Sequence, residues 1–204
     1  MPGGLRERKR AAAMLRIQSV AVGLFEERGF DAVTIDEIAE ASEVSASSVY
    51  RYFGTKEHVL LWDGSERLLR GLAAEAMTDP VPLAGLRRVV LRALDGFPPA
   101  DEQFLVRRLR IAGTTPALEQ ATVAYTYSAA RVLEVVLARQ LRRPVEDLDV
   151  QVFAHALAGA LLGMFHHWQG TGFAEPLRDV VKRVFELFSE GLDIVTLPAP
   201  APAR

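Results

Sequence analysis

The sequence predicts an all-α protein of about nine helices in two parts. Three observations support this. Apolar residues recur at intervals of three and four along almost the whole chain, the period of a helix with one buried face. The interruptions fall at glycine and proline clusters, notably Asp79-Pro-Val-Pro82, Gly96-Phe-Pro-Pro99 and Gly170-Thr-Gly172. No stretch alternates with the two-residue period of a strand.

The elements follow in order. Leu15, Val20, Ala21, Leu24 and Phe25 mark one face of a helix over about 10–28, which Gly29 stops. Thr34 and Glu37, three apart, form a capping box for a short helix over 35–42, with Ile35, Ile38 and Ala39 inward. Ser45 opens another short helix over 46–52, with Val49 inward, and Gly54 ends it. Thr55 caps a fourth helix expected to run to about Met77. Further helices are predicted over Leu83–Leu94, from Asp101 to about Ala112, and from Thr115-Pro116 to about Arg142. Two more follow, over about 146–169 and 175–195. The tail, Pro198 to Pro202, should be extended or disordered.

Composition narrows the function. Half of the 204 residues are hydrophobic, enough for a sizeable core. There is no cysteine, which excludes disulfides, thiolate metal sites and cysteine nucleophiles. No uninterrupted apolar run nears the roughly 20 residues of a membrane helix. Met1 to Arg10 is basic but leads into no apolar signal core, so a cytoplasmic protein without membrane association is expected. The net charge of −2, and the eight basic and eight acidic residues within 1–56, give no bulk-charge argument for a nucleic-acid partner. Locally, Arg6, Arg8, Lys9 and Arg10 form a basic arm opposed only by Glu7, suited either to phosphates or to plain solubility.

The informative stretch is Thr34 to Lys56, TIDEIAEASEVSASSVYRYFGTK. Two short helices joined by a tight turn at Ser42-Glu43-Val44 are the sequence form of a helix-turn-helix, whose second helix can enter the major groove. Leu24-Phe25, Gly29-Phe30, Thr34, Ile38-Ala39, Val44-Ser45, Tyr50, Tyr52-Phe53 and Lys56-Glu57 together resemble the TetR family of transcription regulators over residues 10–60. Two departures stand out. Glu43 occupies a turn position where the family often has glycine, and Ala46-Ser47-Ser48 is smaller and less basic than many recognition helices.

The resemblance implies a DNA-binding domain over 1–55, a ligand-binding and dimerisation domain over 56–196 and a disordered tail over 197–204. Thr34 and Ser45 can present hydroxyls and free N–H groups to phosphate while capping their helices. Ser47 and Ser48, beside Ala46, can reach base edges, though serine discriminates weakly. Tyr50, Arg51 and Tyr52 are placed for the DNA backbone or bases. Lys56 in a first helical turn is placed for a phosphate, since a cation there opposes the helix dipole. Phe25, Phe30 and Phe53 read as core.

In the second part the last two long helices are the expected dimer interface. One stripe is Phe153, Ala156, Leu157, Ala160, Leu161, Met164 and Trp168, with Gly159 and Gly163 allowing close approach. The other is Leu177, Val180, Val181, Val184, Phe185, Phe188 and Leu192. Candidate pocket residues are Trp62, Phe97, Phe104, Tyr125, Tyr127, Met164, His166 and His167. Neighbouring histidines on a helix diverge by about 100°, so His166 and His167 are not expected to chelate a metal. No cofactor is implied. The expected mechanism is a shift between two dimer shapes, one spacing the recognition helices about 34 Å apart, with the fourth helix carrying the change. An enzyme is disfavoured, because no H-E-x-x-H, phosphate loop or dinucleotide turn is present. A helical interaction protein that has lost DNA binding is the other alternative.

Overall fold

A computed structural model of the chain describes residues 5–62, 71, 74–76 and 78–191, with side chains from residue 9 onward. Nine helices have described bounds, residues 71 and 74–76 are also helical, and no strand occurs among the described residues. The nine are α1 (Leu5–Arg28), α2 (Ile35–Ala41), α3 (Ala46–Phe53), α4 (Lys56–Leu61), α5 (Pro82–Asp95), α6 (Pro99–Thr114), α7 (Ala117–Leu141), α8 (Leu148–Gly170) and α9 (Leu177–Ser189). The side chains of Arg6 and Arg8, Leu192 and the proline-rich tail lie outside the described residues. Packing divides the chain into two compact units that interleave in sequence: Met1–Arg70 with Pro98–Leu133, and Gly71–Phe97 with Glu134–Arg204.

In the first unit, α1 begins earlier than predicted, so the backbone of the basic arm is helical from Leu5. Its buried face is Met14, Ile17, Ala21, Val22 and Phe25. Leu15, predicted to face inward, is 53% exposed. Met14 and Ile17 continue the three-to-four spacing back from Ala21, and Leu15 falls one position off that face. Ile35, Ile38 and Ala39 of α2 and Val49 and Phe53 of α3 close the core, with Val44 packed between them. Phe25 and Phe30 meet at 4.9 Å between ring centroids. Fully burying each such apolar side chain contributes about 1.5–3 kcal/mol.

The fourth helix is far shorter than predicted. It stops at Leu61, and Trp62 is extended, with φ −60° and ψ 125°. Gln18 on α1 accounts for this ending. It is fully buried, and its amide nitrogen donates to the carbonyls of Val59 at 2.8 Å and Leu60 at 3.3 Å, and also to that of Trp62. The last carbonyls of a helix have no partner of their own. A buried amide supplying them favours termination at that point. The carboxylate of Glu26 on α1 is held by Arg107 on α6, with Nε to Oε1 at 2.8 Å and a second bond from the other guanidinium nitrogen. That pairing lowers the Glu26 pKa.

In the second unit, α5 buries Gly85, Leu86 and Val89, and α9, which buries Leu177, Val180, Val181 and Phe185, packs against both α5 and α8. Those four α9 residues were predicted to face a second subunit. They are instead buried within the chain, because α5 supplies the apolar partner that the stripe requires. Arg178 fastens the two helices through Asp95 at 2.5 Å. On α8, Val150, Ala154, Leu157, Ala158, Met164 and Trp168 are buried. The opposite side, with Val152, Ala156, Gly159 and Gly163, is exposed. By length and composition alone α8 could cross a membrane, with a mean hydropathy of 1.5, contrary to the run-length expectation. Isolated polar residues such as Gln151 and His155 interrupt the run without lowering the average much.

Candidate nucleic-acid interface

The helix pair is assembled by local bonds. Thr34 caps α2 by accepting the Glu37 N–H, and Glu37 accepts from the Thr34 N–H at 2.8 Å, the reciprocal box the sequence predicted. Glu37 also takes a bond from Arg28 at 2.6 Å, which ties the end of α1 to the start of α2. The Arg28 guanidinium and then the Thr34 bonds hold the Glu37 carboxyl down at about 2, well below its ordinary 4.5. The folded-state value is the depressed one, so the stabilisation is complete above about pH 4.5 and is lost as pH falls through about 2. Glu37→Gln should therefore be less stable than the native chain at neutral pH, with the gap closing between pH 4.5 and 2. Thermal unfolding across that range checks this. A gap that stays constant would show that the carboxylate charge is not what stabilises.

The turn is left-handed at Glu43, where φ is 56°. Its amide bonds Glu40 O, and the Val44 amide bonds Ala39 O, both at 3.0 Å. A non-glycine residue there costs about 1–2 kcal/mol, and glycine gives back about 0.5–1 in chain entropy. Glu43→Gly should thus stabilise by about 0.5–1 kcal/mol. The expected reading is a higher urea midpoint with an unchanged slope. No rise would mean the turn is unstrained.

Ser45 caps α3 by accepting the Ser48 N–H at 3.3 Å. Its hydroxyl lies 2.9 Å from those of Ser47 and Ser48, and Arg51 donates to Ser48 at 3.1 Å. The outer edge of α3 is therefore a linked set of hydroxyls ending in a guanidinium. Ser47, Tyr50 and Arg51, spaced three and four apart, are exposed, Tyr50 at 54%. Ala46 and Tyr52, named with them from the sequence, are half-buried and pack against the core, so their contribution is at least partly structural.

Lys56 has intramolecular partners that the sequence did not announce. Its ammonium donates to the carbonyls of Phe30 and Val33, each at 2.9 Å, and sits 4.3 Å from the Phe30 ring centre. A cation at a helix start is thus explained by intramolecular bonds without any phosphate. Arg10, read from the sequence as part of the basic arm, places its guanidinium 5.8 Å over the Tyr52 ring.

The predicted pocket residues are divided between the two units. Trp62 stacks edge-on against Phe53 at 5.9 Å and packs on the core of the first unit. Phe104 packs there too, with the Arg107 and Arg108 guanidiniums each 5.9 Å from its ring. Tyr125 meets His58 edge-on, and Tyr127 is 57% exposed. In the second unit Phe97 and His166 are exposed and Met164 is buried. His167 is bonded by Arg183 at 2.8 Å and lies 3.3 Å from Glu175. A groove of about 510 Å³ in that unit is lined by Val81, Leu83, Leu91 and Phe188 with Arg87 and Arg88, none of them predicted. Aromatic residues in a helical chain signal burial, and they do not say which cavity.

Comparison with known proteins agrees with this geometry. The family model for bacterial regulatory proteins of the tetR family matches residues 17–61, and the MftR C-terminal domain model matches residues 81–193. A Mycobacterium tuberculosis protein named as a mycofactocin biosynthesis transcriptional regulator, MftR, is 26% identical over 188 residues, covering 91% of this chain and 94% of that one. An HTH-type transcriptional repressor of the same organism is 41% identical over 104 residues, 48% of this chain and 53% of its own length. Among solved structures, Thermus thermophilus FadR, a TetR-family repressor in complex with lauroyl-CoA, superposes with a TM-score of 0.54 and 25% identity over 94% of this chain and 98% of that one. SmeT of Stenotrophomonas maltophilia in complex with triclosan shares the fold, with a TM-score of 0.57 and 21% identity over 94% of this chain and all of SmeT. With the second family model covering more than half of the chain and a helix-turn-helix built as described, this protein belongs to the TetR family of transcription regulators and is a DNA-binding regulator, not an enzyme.

Proposed function

We propose that the chain is a homodimeric repressor that a small, largely apolar molecule releases from its operator. The observation that carries the DNA-binding half is the exposed edge of α3, where Ser47, Tyr50 and Arg51 stand outward from a fully packed core. Residues 1–55 are assigned to operator binding, with Thr34, Ser45, Ser47, Ser48, Tyr50, Arg51 and Tyr52 as contacts. The remaining Lys56 N–H is available to a phosphate. Residues 56–196 are assigned to pairing and sensing in the cytoplasm.

Pairing is supported by α8. Only 28% of its most apolar stretch is buried within the chain, and Val152, Ala156, Gly159 and Gly163 leave a smooth apolar strip outside. A β-carbon at Gly159 or Gly163 would meet nothing within 4 Å. The apolar character of the effector is consistent with the triclosan and lauroyl-CoA held by the two structural relatives.

The test is a gel shift on DNA flanking the protein's own gene, at several salt concentrations. Tyr50→Ala and Arg51→Ala should each weaken binding about tenfold, the equivalent of about 1.4 kcal/mol. Light scattering should give twice the chain mass, and bulky Gly159→Leu should lower it. Apolar effectors should release the DNA. Binding that ignores both α3 substitutions would sink the assignment.

A further inference from the structure

Arg10 and Arg51 come from different helices and converge on one aromatic ring. Their guanidinium carbons lie 5.8 Å and 5.1 Å from the centre of Tyr52. Tyr52 is half-buried and packs against the core, so the ring is a fixed platform. Both arginines are exposed, and among the described residues neither has a carboxylate within 4 Å. The other charged side chains that approach the core on this part of the chain are neutralised differently: Arg28 by Glu37, Arg107 by Glu26, and Lys56 by two carbonyls. Among the described residues, the Tyr52 ring therefore gathers two positive charges with no carboxylate paired to either. Guanidinium groups stack on aromatic faces while leaving their N–H edges free to donate. Two such edges beside a recognition helix fit the oxygens of a phosphodiester.

We propose that Arg10 and Arg51, held on the Tyr52 ring, form a two-arginine clamp for the DNA backbone, which brings the first turns of α1 into the nucleic-acid interface. The proposal rests on the reading that α3 faces DNA, and it adds a contact from outside the helix-turn-helix. The clamp supplies affinity and register, and it carries no base preference, because phosphate is the same at every step. Tyr52 positions the two guanidiniums through its ring.

The experiment measures binding of the full chain to two duplexes, one from DNA flanking its own gene and one of scrambled sequence, from about 50 to 200 mM salt. Arg10→Gln should weaken both duplexes by a similar factor of about ten and reduce the slope of log affinity against log salt by about one. Tyr52→Leu should lose slope equivalent to more than one contact. If Tyr52→Leu fails to fold, the surface variant Arg10→Gln alone still decides. A native slope and affinity in Arg10→Gln, with binding lost in Arg51→Ala, overturns the clamp and leaves the α3 assignment standing. A native chain that binds neither duplex overturns both.

Discussion

Gln18→Glu should lower the stability of the folded chain by about 3–5 kcal/mol at neutral pH, the range for a buried charge without its partner. The substitution is nearly isosteric. It replaces the amide that donates to Val59, Leu60 and Trp62 with a carboxylate facing the same carbonyl oxygens. Gln18→Met should cost less, about 1–3 kcal/mol, because it strands the carbonyls without adding charge. It also removes Oε1, which is buried without a partner. The two variants respond differently to pH. Burial raises the pKa of the introduced acid above its unfolded value, so the Glu variant regains stability as pH falls toward that of a free carboxylate, about 4.3, and its new O–H can donate. The Met variant should show no such recovery. Thermal melts from pH 4 to 8 read the difference, at about 2–4 °C per kcal/mol for a chain of this size. Equal loss in both variants at every pH would show that the amide is only filling space.

Gly85→Ala should be the most damaging single methyl in the described part of the chain. A β-carbon at Gly85 would lie 2.0 Å from the carbonyl oxygen of Ala76 and 2.8 Å from Cβ of Asp79. The nearest obstacle is backbone, which cannot rotate away as a long side chain can. Gly85 is buried on α5 beside Leu86, so the helix cannot simply lift. Overpacking of this kind costs about 1–3 kcal/mol and occasionally more, and this contact belongs at the upper end. The comparison is Gly96→Ala, whose β-carbon would meet only Ala93 O, at 3.7 Å. Urea midpoints of the two variants should differ clearly. Similar midpoints would mean that the segment at Ala76 moves freely away from α5.

What the sequence made legible was whatever local chemistry determines. The Thr34–Glu37 box, the Ser45 and Thr55 caps and the Gly54 stop all lie within a few residues of the groups they serve, and all were placed correctly. The same holds for the Val44 plug and the phenylalanine core. The errors involve partners distant in sequence. Nothing around Leu61 announces that Gln18, over forty residues earlier, ends the helix there. Nothing beside Lys56 announces that its ammonium bonds the carbonyls of Phe30 and Val33, over twenty residues earlier. The α9 stripe has the correct period, but periodicity reports that a face is covered and not by what. Nor does the sequence say that Trp62 and Phe104, aromatic residues named for a pocket, pack against the core of the first unit.

The double anchorage of α4 constrains how any signal reaches the DNA. Its first residue grips the loop before α2, and its last turn is clasped by α1, which is itself bolted to α6 through Glu26 and Arg107. A lever pinned at both ends cannot swing independently of its mount. Any displacement that enters through α4 or α6 must therefore carry α1 and the helix pair with it as a solid block, and mutations that loosen either pin should free α4 from that block.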